Sequence, residues 1–402
     1  MTNYLLSIDQ NYIPVQYKET TQRLISIVES DSRIASLLEE AIAKGRTINP
    51  DPDSNPIQSV QDYYNFIDHQ LTAMPWEVIT TPGRPSVFGR MYQCLCYCYF
   101  INCIHLDSLE GENFFTASIQ YLEPYRSWLI DYCKAWGSFL SSPQSWNKEY
   151  ERLMMEQHEM GMTNGWYESP DNWHSFNDFF SRRLASPDKR PIDSPLDESV
   201  ITSPADCTPQ GWWQIDSDSH IVADGPVAVK SRLFTSVRDL IGHESQFCDA
   251  FAGGVFTHAF LNVNDYHRYH FPLGGIIREI RSIPGDEALG GTVTWNPQLG
   301  EYVVDSSVPG WQSIETRGLI ILETDHHGLV ALLPVGMSQV SSVNFEPELC
   351  VGRRVEKGDP LGYFLFGGSD FAMVFQQAPQ AQITAPAGVH IFTGQRYGHF
   401  LK

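Results

Sequence analysis

The sequence predicts an α+β protein, with an all-helical amino-terminal domain over residues 1–165 and a β-rich domain over residues 166–402. Three observations carry that division. In the first 165 positions apolar residues recur at helical spacing. After Gly165 the apolar runs shorten to about four to eight residues bounded by Gly and Pro, the pattern of buried strands and turns. A chain of 402 residues, 42% hydrophobic and 19% charged, is also long enough and apolar enough for two or three cored domains.

The elements follow in order. QRLISIVESDSRIASLLEEAIAKG sets Leu24, Ile27, Val28, Ile34, Leu37, Leu38 and Ile42 near helical spacing and stops at Gly45. Residues 49–56, NPDPDSNP, form a proline-punctuated loop. A helix with Tyr63, Phe66, Ile67 and Leu71 follows, then a cysteine-rich helix, then one interrupted or started at Pro124. Cys94, Cys96, Cys98 and Cys103 are separated by Leu95, Tyr97, Tyr99, Phe100 and Ile101, which reads as a buried helix and not as paired zinc knuckles. In the second half GGVFTHAFLNV, GLIILETD, GLVALLPVGM and LGYFLFGG read as strands, with SFNDFFSRRL, residues 175–184, as the helical exception.

Charge and composition exclude several function classes. The 48 acidic and 27 basic residues leave a net charge of −21, which opposes nucleic-acid binding and electrostatic docking on anionic lipid. The longest uncharged stretch of interest, Met91 to Ile104, covers 14 residues, whereas a membrane span needs about 20. The first residues lack a basic start followed by an apolar run, so no secretory leader is expected. Eight cysteines are too sparse for a disulfide scaffold. The expectation is a soluble, cytoplasmic protein.

Three stretches of the β-rich half bear chemistry. SPADC places Asp206 in a Ser-Pro turn, NVNDYHRYH holds His267 and His270 three residues apart, and LGYFLFGGSDFAMVF sets Gly367-Gly368-Ser369-Asp370 between two apolar runs. Taken singly, each is an ordinary turn or loop. Together, an Asp, a His and a Ser near the ends of strands have the composition of an activated nucleophile. The serine does not sit in a G-x-S-x-G elbow, because position 371 is Phe. A serine preceded by glycine can instead attack its own upstream peptide carbonyl, which no side chain shields.

These stretches resemble the phosphatidylserine decarboxylase family of pyruvoyl enzymes. FFSRRLASPDKRPID is similar to the family's FF-x-R…RP entry, SPADC to its SP-x-DG turn, and DYHRYHFPLGG to its DYHR-x-H-x-P-x-G signature. ETRGLIILETDHHGLVALLPVGMSQVSSV resembles its N-x-R…VG-x-x-x-VGS segment, and VEKGDPLGYFLFGGSDF its KG-x-x-x-G-x-F-x-x-GS processing site. DYCKAWGSFLSSPQS and the helices before it resemble the amino-terminal domain of the fungal tryptophan decarboxylase branch. Two positions depart from the pattern: Asp370 stands where Thr or Ser is usual, and Cys207 where Gly is usual.

The resemblance implies a chain that cleaves itself between Gly368 and Ser369 into two associated chains, Ser369 becoming the pyruvoyl group. It implies that Asp206 orients His270, that His270 takes the Ser369 proton, and that His267 returns a proton to the substrate; the mirrored assignment of the two histidines stays open. The substrate implied is a free amino acid that reacts through a Schiff base, with no pyridoxal phosphate, nucleotide or metal. Asp370 would lie beside the prosthetic group and favour neutral or cationic amino acids. His326-His327 reads as a polar turn and Trp212-Trp213 as packing aromatics, while Arg317 binds a carboxylate or forms a structural ion pair. Two alternatives are carried forward. One is phosphatidylserine as substrate. The other is an uncleaved binding protein, since residues 351–366 and 382–392 also resemble a biotinyl or lipoyl barrel.

Overall fold

The computed structural model describes residues 12–112, 114–222, 236–285, 291–305, 309–337 and 342–401. The expectation about a secretory leader therefore falls partly outside the described residues, as do positions 338–341 of the VG-x-x-x-VGS match. Six helices come first: α1 Glu19–Ser30, α2 Ser32–Ile48, α3 Val60–Gln70, α4 Val87–Phe100, α5 Tyr125–Leu140 and α6 Lys148–Met155. Two short ones follow, α7 Phe176–Phe180 and α8 Val237–Ile241.

The expected first helix is two helices. Asp31 breaks it, because its carboxylate accepts hydrogen bonds from the Arg33 and Ile34 amides and so caps a new helix. The chain also continues past Gly45 to Ile48 before it leaves the helix. α5 starts directly after Pro124, and Ser59 and Ser86 cap α3 and α4. The exception expected over residues 175–184 shrinks to the five residues of α7, capped by Ser175. Past Ser181 the guanidinium of Arg182 folds back onto the Phe179 and Phe180 carbonyls, ending the helix.

Cys94, Cys96 and Cys98 lie in α4, Cys103 lies just beyond it, and all four are buried. Burial pushes the Cys96 and Cys103 thiols up to about 12. All eight cysteines are free. Among the described residues no helix is long and apolar enough to cross a membrane.

Fifteen strands follow among the described residues. They are β1 Val200–Thr202, β2 Thr208–Gln214, β3 Val255–Leu261, β4 Arg268–His270, β5 Gly275–Ile283, β6 Thr292–Asn296, β7 Glu301–Asp305 and β8 Thr316–Glu323, then β9 Leu329–Met337, β10 Asn344–Phe345, β11 Arg354–Val355, β12 Pro360–Tyr363, β13 Gly368–Phe375, β14 Ala381–Ile383 and β15 Arg396–Phe400. An antiparallel seven-stranded sheet in the order β11-β5-β8-β9-β13-β3-β2 is the centre of the β half. Smaller sheets, β10-β12-β4 and β1-β15-β14, accompany it. Every residue of β13 is buried, as an apolar run paired on both edges should be.

The helical region and the β half share a core. Val293, Tyr302, Trp311, Val335 and Phe366 belong to the same apolar cluster as the side chains of α2 to α5. The β6–β7 hairpin docks on α4, where the Gln93 amide donates to the Tyr302 carbonyl and accepts from the Tyr302 N–H. Tyr302 Oη also accepts from Asn49.

Candidate active site

Ser369 is the second residue of β13, not the tip of a hairpin. It pairs with Gly336 on β9 and Leu261 on β3 at the middle of the seven-stranded sheet. Turn statistics favoured a hairpin at Gly-Gly-Ser, but the four residues 364–367 make the connection from β12 and the strand has resumed at Gly368. The Ser369 hydroxyl is fully buried and has no hydrogen-bond partner among the described residues. A buried hydroxyl left unpaired is costly.

His267 is buried in the same way. Its Nδ1–H donates to the Asp265 carbonyl at 3.0 Å, which leaves Nε2 as the lone-pair nitrogen, buried and without a partner among the described residues. The ring stacks on Phe180 with centroids 3.8 Å apart. Phe180 in turn packs on Phe366, three residues before Ser369, and the Phe364 N–H donates to the His267 carbonyl. Burial, reinforced by the nearby Arg182 charge, holds the His267 imidazole well below the ordinary histidine range. It is therefore neutral at neutral pH.

His270 is differently placed. Its Nδ1–H donates to the Gly358 carbonyl at 2.9 Å and its Nε2 accepts from Tyr266 Oη at 3.1 Å, so both ring nitrogens are engaged. Gly358 sits at φ +89°, a conformation that favours glycine, and this turns its carbonyl toward the ring. Burial pulls His270 down, and the charge of Asp206 partly opposes the shift.

Asp206, expected to orient His270, accepts no hydrogen bond from it among the described residues. Arg190 claims the carboxylate instead, with Nε at 2.8 Å from Oδ1 and Nη2 at 2.5 Å from Oδ2, and the Thr393 amide and hydroxyl both donate to Oδ1 at 2.9 Å. A bidentate guanidinium outcompetes a neutral imidazole for a buried carboxylate. Asp206 still shapes the site through the backbone, since the Pro204 carbonyl of its turn accepts the His270 N–H at 2.7 Å. Cys207, the unusual residue of this turn, packs in the β-half core.

Asp370 departs further from expectation. Successive residues of a strand face opposite sides. Ser369, Phe371 and Met373 share one face of β13, while Asp370 lies on the other face with Ala372 and Val374. There its Oδ2 accepts from His258 Nδ1 at 2.8 Å, and His258 stacks against Trp213. The carboxylate lies on the opposite face of β13 from the Ser369 side chain, and its Oδ1 has no partner among the described residues. Of the two expected packing aromatics, Trp213 packs on His258 and Phe256, whereas Trp212 is 50% exposed.

Four residues that sequence reasoning passed over complete the site. Arg190 and Thr393 hold Asp206, His390 Nε2 bonds Asp265 Oδ1 at 2.8 Å, and Arg182 donates to the Asn264 and Asp265 carbonyls at 3.0 and 3.1 Å. Only the matched FF-x-R…RP stretch, which contains Arg182 and Arg190, could have signalled any of them. Arg317 donates to the backbone carbonyls of Asp239, Leu240, Ser313 and Glu315. His326 and His327 lie in the turn between β8 and β9.

The sequence profile of the phosphatidylserine decarboxylase family matches residues 176–399. Decarboxylase iboD of Amanita muscaria is 28% identical over 336 residues, 76% of this chain and 88% of that protein. The L-tryptophan decarboxylase of Psilocybe cyanescens is 30% identical over 217 residues, which span 52% of this chain and 48% of the relative. The phosphatidylserine decarboxylase proenzyme of Fusobacterium nucleatum is 29% identical over 262 residues, 63% and 74% of the two chains. The profile runs through more than half of the sequence and takes in Asp206, His267, His270 and Ser369, so the chain belongs to the phosphatidylserine decarboxylase family and is a carboxy-lyase.

Proposed function

We propose that this chain cleaves itself at Ser369 and then decarboxylates a free amino acid. The observation that carries the reading is a complementary pair of buried, unsatisfied atoms: the Ser369 hydroxyl, a donor, and His267 Nε2, an acceptor. Both belong to the segments that meet around Phe180 and Phe366.

In this reading Ser369 Oγ adds to the Gly368 carbonyl carbon and its proton passes to His267 Nε2. The peptide C–N bond then breaks as the nitrogen takes up a proton, leaving an ester between the two residues. Loss of the Ser369 α-proton expels the Gly368 carboxylate from Cβ, and water hydrolyses the resulting dehydroalanine, releasing ammonia and leaving a ketone at position 369. His267 is favoured as base over His270 because its acceptor nitrogen has no partner among the described residues; this gives His267 the cleavage role of the mirrored assignment without passing the substrate proton to His270.

The residues present fit such a group: position 369 is dry, flanked by β9 and β3, and faces apolar side chains. A pyruvoyl group there supplies a carbonyl that draws off electrons as carbon dioxide leaves. His267, held in one tautomer by Asp265, is the group that moves a proton at this point, a contribution of about 10²–10⁴-fold for a well-placed acid or base. Asp265 with His390 holds the turn just before His267, and Asp206 with Arg190 holds the turn whose Pro204 carbonyl takes the N–H of His270 at the end of β4.

The free-amino-acid substrate is supported by the L-tryptophan decarboxylases among the relatives. Phosphatidylserine is the second reading, favoured by the family description and by the Fusobacterium relative. Carbon dioxide release by the purified protein, measured against a panel of amino acids and against phosphatidylserine in mixed micelles, separates the two. Turnover of amino acids alone supports the first reading, and turnover of the phospholipid alone overturns it.

A further inference from the structure

The short helix α7 touches both halves of the reacting centre. Its Phe180 stacks on the His267 ring at 3.8 Å. Its Asn177 accepts the Phe366 N–H through Oδ1 at 3.0 Å, two peptide units ahead of Gly368. The same amide spends its other end on the helical region: Nδ2 donates to Ser141 Oγ at 2.8 Å, at the carboxyl end of α5. Phe366 itself is enclosed by three aromatic rings, Trp136 of α5 at 5.7 Å and Phe176 and Phe180 of α7 at 5.4 and 5.2 Å.

The chain enters β13 through the connection 364–367, whose strand pairing begins only at Gly368. Before that point the Phe366 amide has no strand neighbour, and Asn177 supplies the acceptor it would otherwise lack in a dry site. Asn177 is itself 2% exposed and fixed at both ends, so its oxygen holds one position. A backbone anchor so close to the scissile bond sets where the Gly368 carbonyl lies relative to Ser369 and His267. Displacement by about 1 Å at a reacting centre can cost about 10²-fold in rate.

We propose that Asn177 is a positioning residue for chain cleavage, and that the helical region acts on the reaction through Ser141, which holds Asn177, and through Trp136, which packs on Phe366. This rests on the reading of Ser369 as the cleavage nucleophile. It makes the amino-terminal helices a working part of the processing centre, so maturation depends on their being folded in place.

The test follows disappearance of freshly translated full-length precursor by gel and intact mass, for the unmutated chain and for Asn177→Ala, Asn177→Asp and Ser141→Ala, with a thermal midpoint for each. Asn177→Ala is expected to slow cleavage about tenfold, the equivalent of roughly one hydrogen bond. Asn177→Asp keeps an oxygen acceptor for Phe366 and should stay within about threefold of the unmutated rate. Ser141 lies at the surface, so Ser141→Ala folds and reports even where Asn177→Ala does not; it is expected to be about threefold slow. Cleavage of Asn177→Ala or, failing its folding, of Ser141→Ala at the unmutated rate overturns the positioning role, as does equal slowing of the Ala and Asp variants. An unmutated chain that never breaks between 368 and 369 overturns the processing reading as well, and the two failures are thereby distinct.

Discussion

The imidazole of His267 lies flat on the ring of Phe180, 3.8 Å between centroids and 28° between planes. Stacking on one face and a hydrogen bond from Nδ1 to the Asp265 carbonyl leave this histidine a single free function, the Nε2 lone pair. His270, three residues on, has none free. That asymmetry separates two residues which the motif presents as equivalent, and the predictions turn on it.

Replacing Ser369 with alanine removes the only hydroxyl that can reach its own upstream carbonyl. The Ser369→Ala protein should run as one chain, whereas the unmutated protein should give a large fragment and a carboxy-terminal fragment of residues 369–402. The small fragment should resist amino-terminal sequencing, because a ketone replaces its amine. Normal cleavage of the alanine variant would refute the site.

His267→Ala should accumulate precursor and lose carbon dioxide release, with both losses at 10²-fold or more, the scale of a positioned base. His270→Ala should cleave within about tenfold of the unmutated chain, the scale of one or two lost hydrogen bonds. The reverse result would return the cleavage role to His270 and require it to leave Tyr266.

Cleavage should depend on pH in one direction. His267 is held below the ordinary histidine value of 6.5 by burial and by Arg182, so it stays neutral as pH falls from 8 to 6.5. The cleavage rate should be level across that window and drop only at more acid pH, as the ring takes up a proton. A rate that is halved at pH 6.5 would show an unshifted histidine acting as base.

Asp206→Asn tests a structural assignment. The Arg190 pair is buried, with side chains 4% and 2% exposed, and removing one partner of such a pair typically costs about 3–5 kcal/mol. The variant should unfold at correspondingly lower urea while still holding His270 on Gly358. Unchanged stability would argue that Asp206 leaves Arg190 in solution and is free to orient a histidine.

Asp370→Ser should leave the preference between tryptophan and glutamate within about twofold, because the carboxylate faces away from position 369, and should destabilise the fold by about 1–3 kcal/mol through the unpaired His258. A marked gain in turnover of acidic amino acids by this variant would restore Asp370 to the substrate site.

Much of the architecture was legible locally. Apolar spacing marked α2 to α5, Pro124 marked the start of α5, and short apolar runs marked β3, β8, β9, β12 and β13, although the run over residues 361–368 stays in strand β12 only as far as Tyr363. Asp31 shows where such reading stopped short: the apolar stripe continues across it, but the carboxylate finds two amides of the next turn and begins a helix of its own. The Gly-Gly-Ser segment shows the opposite case, where turn-forming residues were drawn into a strand by pairing on both sides. Local preference is worth about 1 kcal/mol or less per residue, and two flanking strands outweigh it.

The sequence by itself determined the order of the helical and β-rich parts, the family, and the residue types that do chemistry, because periodicity and motif spacing are properties of the chain read in one dimension. Only the tertiary structure decided which of those residues meet. Arg190 takes Asp206 from His270, His258 takes Asp370 to the far face of β13, and α7 brings Asn177 and Phe180 against a segment almost two hundred residues away. Each of those choices depends on strand register and on competition among buried donors for one acceptor, which exist only once the chain has folded.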